Sequence, residues 1–123
     1  MKLKIILILI TVALSTLFTA CSNRPPEEKV TTAIKTQLEK EFPSSWSESL
    51  LNAKNAKVDS IKIVQFGNFN KSENYWPVKA RVYGTYEVNY LIKTDTVSFD
   101  KIGDFKISED DYGNWIAKLK EEQ

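Results

Sequence analysis

Trp76-Pro77-Val78-Lys79-Ala80-Arg81-Val82-Tyr83-Gly84-Thr85-Tyr86-Glu87-Val88-Asn89-Tyr90-Leu91-Ile92 is the stretch that decides the fold. Trp76, Val78, Ala80, Val82, Gly84, Tyr86, Val88, Tyr90 and Ile92 fall on one side of it. Lys79, Arg81, Tyr83, Thr85, Glu87 and Asn89 fall on the other. A period of two with apolar and polar sides this well separated predicts a long antiparallel strand, dry on one face and wet on the other. Pro77 suits the first residues of a strand or an edge. Gly84 in mid-strand predicts a bend or bulge that lets the strand curl.

The segments on either side share this character. Before it, Val58 to Phe66 is rich in β-branched and aromatic residues, but Ile61 and Ile63 lie on one side and Val64 and Phe66 on the other. A bulge near Val64 reconciles them. Gly67 to Asn74 reads as a polar turn with Phe69 in its middle. After it, Lys93 to Thr96 reads as a turn. Val97, Phe99, Phe105 and Ile107 mark a third strand whose register is broken near Lys101-Ile102-Gly103 by a second bulge. Glu109 to Asn114 reads as a hairpin loop, Trp115, Ala117 and Leu119 as one face of a last strand, and Lys120 to Gln123 as a frayed end.

Upstream the period is 3.6. Pro26 suits the first turn of a helix, and Glu27 and Glu28 complement its positive end. Val30, Ala33, Ile34, Leu38 and Phe42 form an apolar stripe opposite Lys29, Lys35, Glu39 and Lys40, and Pro43 ends it. Ser45 and Glu48 have capping-box spacing, which predicts a short helix from Trp46 to about Ala53 that buries Trp46 and Leu50. A polar connection follows from Asn52 to Lys57. The expected architecture is α+β: an N-terminal amphipathic helix packed on a curled antiparallel sheet of about four strands, in one domain spanning residues 27–123. This order, with the hairpin Asp111-Tyr112-Gly113-Asn114-Trp115, resembles the cystatin-like and NTF2-like small lipoproteins, which implies a sheet wrapped around the helix. The resemblance carries over no catalytic residue, because enzymes of the NTF2-like group use residues absent here, histidine among them. The Gln-x-Val-x-Gly loop of cystatin inhibitors is also absent.

At the start of the chain, Lys2 and Lys4 precede a mostly apolar run from Ile5 to Leu14 and small residues before Cys21, the composition of a secretory signal. Thr19-Ala20-Cys21 resembles the lipobox of bacterial lipoproteins, with Phe18 where Leu is usual. The resemblance implies cleavage after residue 20, a covalent lipid on Cys21 and a lipidated tether over residues 21–26. It implies attachment to the bacterial cell envelope. Ser22 after the cysteine implies the outer membrane, facing the periplasm, in a host with two membranes. Removal of residues 1–20 leaves 103 residues, enough for one domain. Loss of Lys2 and Lys4 reduces 17 basic residues to 15 against 16 acidic ones. That balance predicts no nucleic-acid partner and no general attraction to anionic lipid head groups. Cys21 is the only cysteine, so no internal disulfide can form.

The chain has no histidine, which removes His-based triads, His general bases and nearly all zinc, copper and haem sites. Neither a metal nor any cofactor besides the lipid on Cys21 is expected. Asp104 with Glu109, Asp110 and Asp111 is an acidic cluster better read as a solvated turn than as a calcium loop. Glu87 and Asp100 are candidate carboxylates for a hydrolase, but nothing in the sequence sets them across a cleft. Tyr75 and Tyr83, beside Lys79 and Arg81, have the composition of a contact surface on the wet face. Trp76, Tyr86 and Tyr90, on the dry face, are candidates for an apolar pocket between sheet and helix. The leading expectation is a lipid-anchored, non-enzymatic binding or accessory module with an envelope protein partner. The alternatives are a carrier or sensor of a small apolar ligand and, least favoured, a carboxylate-dependent hydrolase.

Overall fold

The structure is a computed structural model that describes residues 24–47 and 53–120. The signal, Cys21 and Leu50 lie outside the described residues. One helix, α1 (Glu27–Lys40), is the first described element, and it packs on a four-stranded antiparallel sheet. The strands β1 (Ala53–Phe66), β2 (Trp76–Asn89), β3 (Thr94–Glu109) and β4 (Trp115–Leu119) lie side by side in chain order. This is the expected α+β architecture.

In α1 the Pro26 carbonyl accepts the N–H groups of Lys29 and Val30, at 3.0 and 3.1 Å, so proline opens the first turn without donating. Val30, Ala33, Ile34 and Leu38 are buried, as the stripe predicts, and Phe42 packs against the core just past the helix end. The helix packs mainly on β1 and β4, the two outer strands. At its end the Glu39 carboxylate accepts the Val58 N–H at 2.9 Å, tying the helix to the edge strand.

Of the short helix expected from Trp46 to about Ala53, residues 48–52 lie outside the described residues, while Ser47 before them is extended and Ala53 after them is already in β1. The described part forms a 3₁₀ turn, Ser44–Trp46, with Trp46 N–H on the Pro43 carbonyl and Ser47 N–H on that of Ser44. Pro43 is the cap of this turn, so Ser45 lies inside it. Trp46 is buried as expected. The polar connection assigned to Asn52–Lys57 is also corrected, because β1 already starts at Ala53. Its polar residues alternate with partly buried Ala53 and Ala56, and pairing with β2 overrides their low strand propensity.

The β1–β2 register shifts between Ile63 and Gln65, leaving Val64 without a partner and 53 % exposed. The expected bulge is therefore there. It returns Phe66 to the face of Ile61 and Ile63, opposite Val78, Ala80 and Val82. Two further irregularities in β1 flank Gly84 of β2, where the Lys57 carbonyl and the Phe99 ring fill the space of a Cβ. The second expected bulge, near Lys101-Ile102-Gly103, does not occur. β3 pairs with β2 without a break, from Trp76↔Ile107 to Asn89↔Thr94. Lys101 and Gly103 simply take inward positions on a regular strand, which turns Ile102 outward at 57 % exposure. The β2–β3 turn is also earlier than expected, at Tyr90–Lys93, with Tyr90 N–H on the Lys93 carbonyl.

Candidate functional site

The outer face of the sheet is built from the alternate residues of β2 that point away from α1. Val78, Ala80 and Val82 are buried, so Lys79, Arg81 and Tyr83 between them face outward. Residues directly opposite in an antiparallel ladder share a face. Lys79 is therefore flanked by Gln65 and Asp104, Arg81 by Lys62 and Ile102, and Tyr83 by Ser60 and Asp100.

Arg81 is held by a two-pronged bond to Asp100: Nε donates to Oδ1 at 2.8 Å and Nη2 to Oδ2 at 2.7 Å. Its guanidinium carbon also lies 5.1 Å from the Tyr83 ring centre. The hydrogen bond from Arg81 is the main reason that the Asp100 carboxyl is held below its usual range, and the same bond holds the guanidinium protonated more firmly than usual. Both groups are close to half exposed, so the pair orients Arg81 more than it stabilises the fold.

Tyr75 joins this face from the loop before β2. Its hydroxyl accepts from the Asn70 side-chain amide at 3.3 Å, and Lys106 Nζ lies 4.7 Å from its ring centre. Lys106 also pairs with Glu73 at 3.2 Å. A shallow concavity of about 330 Å³ is lined by Tyr75, Lys79, Asp104, Lys106 and Lys120. The four residues expected to form a contact surface thus share one face, with Tyr75 and Lys79 at one end of it and the Arg81–Tyr83 stack adjacent.

The residues expected to line a pocket are not brought together. Trp76 packs on Phe66 and Phe69, with ring centres 5.9 and 5.1 Å apart. Tyr86 is buried against Phe42 and Phe99, at 5.1 and 6.3 Å. Tyr90 lies past the end of β2, at the hairpin tip, 46 % exposed. The expectation that it faces inward is corrected: the strand ends at Asn89, so the alternation no longer governs it.

The carboxylates are dispersed. Asp104 lies beside Lys79, while Asp110 belongs to the β3–β4 turn, where its Oδ1 accepts the N–H groups of Tyr112 and Asn114, each at 2.9 Å. Among the described residues no three side chains of His, Cys, Asp or Glu come close enough to hold a metal ion. Glu87 accepts from Asn55 Nδ2 at 2.8 Å, and Asp100 has both oxygens on Arg81. A carboxyl with lowered proton affinity is poorly suited to act as a general acid.

Lys106, Lys120, Lys62 and Gln65 also belong to this face, and the sequence reading did not find them. Their strands can be recognised from the sequence, but which of their residues lie beside Lys79 and Arg81 depends on register. No family model, no curated protein and no solved structure matches the chain.

Proposed function

We propose that the protein is a lipid-anchored, non-enzymatic module of the bacterial cell envelope, attached through Cys21, whose outer sheet face is its contact surface. The observation that carries this reading is the group formed by exposed Lys79 and Arg81 with half-buried Tyr75 and Tyr83 on one face of the sheet. An arginine fixed by Asp100 beside an aromatic ring is pre-organised for a partner, which lowers the entropy lost on binding. The ring contacts that surround Tyr86 favour a filled interior over an apolar carrier. One helix packed on the two outer strands of a four-stranded antiparallel meander supports a cystatin-like or NTF2-like fold.

Two measurements test it. Cells fed a fatty-acid analogue should label the wild-type chain but not Cys21→Ser, and a labelled Cys21→Ser chain would reject the anchor. A photo-reactive residue at position 79 should then cross-link a partner in the envelope while one at Lys35, on the outer side of α1, should not. Equal cross-linking from both positions would reject the contact surface.

A further inference from the structure

The whole chain has a formal charge of +1, but the sheet register does not spread that charge evenly. On β1, Lys54, Lys57 and Lys62 stand opposite Glu87, Thr85 and Arg81 and share their outer face. Lys79 and Arg81 continue the face on β2. Lys106 of β3 and Lys118 of β4 stand directly opposite each other, and Lys120 follows beside Asp104. The carboxylates these strands add to the face are Glu87, Asp100 and Asp104. Eight cations against these three carboxylates and Glu73, which reaches Lys106 from the loop before β2 at 3.2 Å, leave an excess of four on one face of a nearly neutral chain. Like charges directly opposite in a ladder weaken it, so sheet stability does not account for Lys106 facing Lys118.

The second observation is at one end of the same sheet. The β2–β3 hairpin is closed by the Tyr90 N–H on the Lys93 carbonyl at 2.7 Å and by Thr94 Oγ1 on Asn89 Oδ1 at 2.8 Å. Its apex is Leu91-Ile92, 106 % and 98 % exposed, next to half-exposed Tyr90. Tight turns favour Gly, Asn, Asp, Ser and Pro for backbone and hydrogen-bonding reasons. Turn geometry therefore does not call for Leu and Ile, and here they present their side chains to water.

We propose that the outer face of the sheet docks on an anionic membrane surface, with Leu91 and Ile92 entering its headgroup region. This names the partner of the contact surface proposed above and rests on that reading. A basic face with an apolar projection at its rim is the composition that binds at a lipid interface. Each lysine near such a surface strengthens binding about fivefold at moderate salt. Seven of the eight cations are lysines, and the one arginine is already committed to Asp100. Lysines supply point charge rather than the two-pronged recognition of a specific phosphate or carboxylate, which suits a fluid array of head groups. A nucleic acid would satisfy the charge but gives the Leu91-Ile92 apex no apolar phase.

The test uses the chain as it stands after removal of the signal, residues 21–123, carrying Cys21→Ser and Leu91→Cys, so that the single thiol bears a polarity-sensitive fluorophore at the apex. Mixed phosphatidylglycerol–phosphatidylcholine vesicles should shift its emission to the blue, and phosphatidylcholine vesicles should not. Raising salt from about 0.05 to about 0.5 M should reverse the shift. Lys57→Glu with Lys62→Glu and Lys118→Glu in the same background should lower the docked fraction by roughly tenfold or more. If that variant does not fold, the salt titration reads the same charge dependence. No shift with anionic vesicles, or an equal shift with both kinds, overturns the proposal. So does soluble polyglutamate that displaces the protein from anionic vesicles at equal charge concentration, which would assign the face to an acidic protein. Because every variant lacks Cys21, the outcome does not depend on acylation, so failure here is distinct from failure of the lipid anchor.

Discussion

Trp46 packs against Gly103: a Cβ at position 103 would stand 2.8 Å from Trp46 Cζ2, and equally close to Leu119 Cδ1. Phe105 Cε2 would be 3.0 Å away. The 3₁₀ turn after α1, the inner face of β3 and the end of β4 therefore meet over a position that only glycine fills without displacement. Gly103→Ala should destabilise the domain by about 1–3 kcal/mol through overpacking, although alanine is otherwise the better strand residue. Urea unfolding followed by tryptophan emission measures this directly. Wild-type stability would show that the indole has room to move.

Ile34 lies fully buried on the stripe of α1, between Val30 and Leu38. Ile34→Asp should unfold the domain, because a buried carboxylate without a partner costs several kcal/mol against a total stability of about 5–15 kcal/mol. Lys35→Asp, one residue on and exposed, is the control and should keep the circular dichroism spectrum. A folded Ile34→Asp chain would mean that α1 is not docked on the sheet.

The parts of the fold that follow from local periodicity could be read before the structure: α1 from its stripe, β2 from its alternation, and the bulge at Val64 from two apolar pairs on opposite sides. The same logic failed at Lys101 and Gly103. A charged residue and a glycine on an inner face look like a broken register, yet Gly103 is there because Trp46 needs the space. It failed again at Tyr90, where alternation was carried past the last ladder pair, Asn89↔Thr94. At the candidate site, Lys79, Arg81 and Tyr83 could be read because one strand supplies all three. Lys62, Lys106 and Lys118 could not, since their place beside them comes from pairing between segments distant in the chain.

Asp110 holds the β3–β4 turn through its Oδ1, and the backbone bond from Asn114, with a second from Tyr112, lowers its proton affinity below that of an ordinary aspartate. A carboxyl depressed in the folded state stabilises the fold above its unfolded value, about 3.9. That contribution is lost as pH falls through the lower folded value. Asp110→Ala should therefore be less stable than wild type at pH 7, and the two should converge as pH drops below about 4. Thermal melts across this range measure the difference. A gap that stayed constant down to acid pH would place the effect of Asp110 in something other than its charge.

Lys79, Arg81 and Tyr83 lie on the outer face, while Val78, Ala80 and Val82 of the same strand fill the core. Replacing all three outward residues by alanine removes the Arg81–Asp100 fork and the ring under the guanidinium, but no buried contact. Exposed ion pairs contribute little to stability, so the triple variant should melt close to the wild-type temperature. Its contacts should not survive so well: cross-links from the outer face should disappear, and the salt-dependent shift on anionic vesicles should weaken. A variant that unfolds would show that these outward residues are needed for the β2–β3 pairing itself. A variant that folds and keeps every contact would remove the outer face as the functional surface. The exposed apex at Leu91 and Ile92 would then be the next feature to alter, because it stands outside both the core and the charged face.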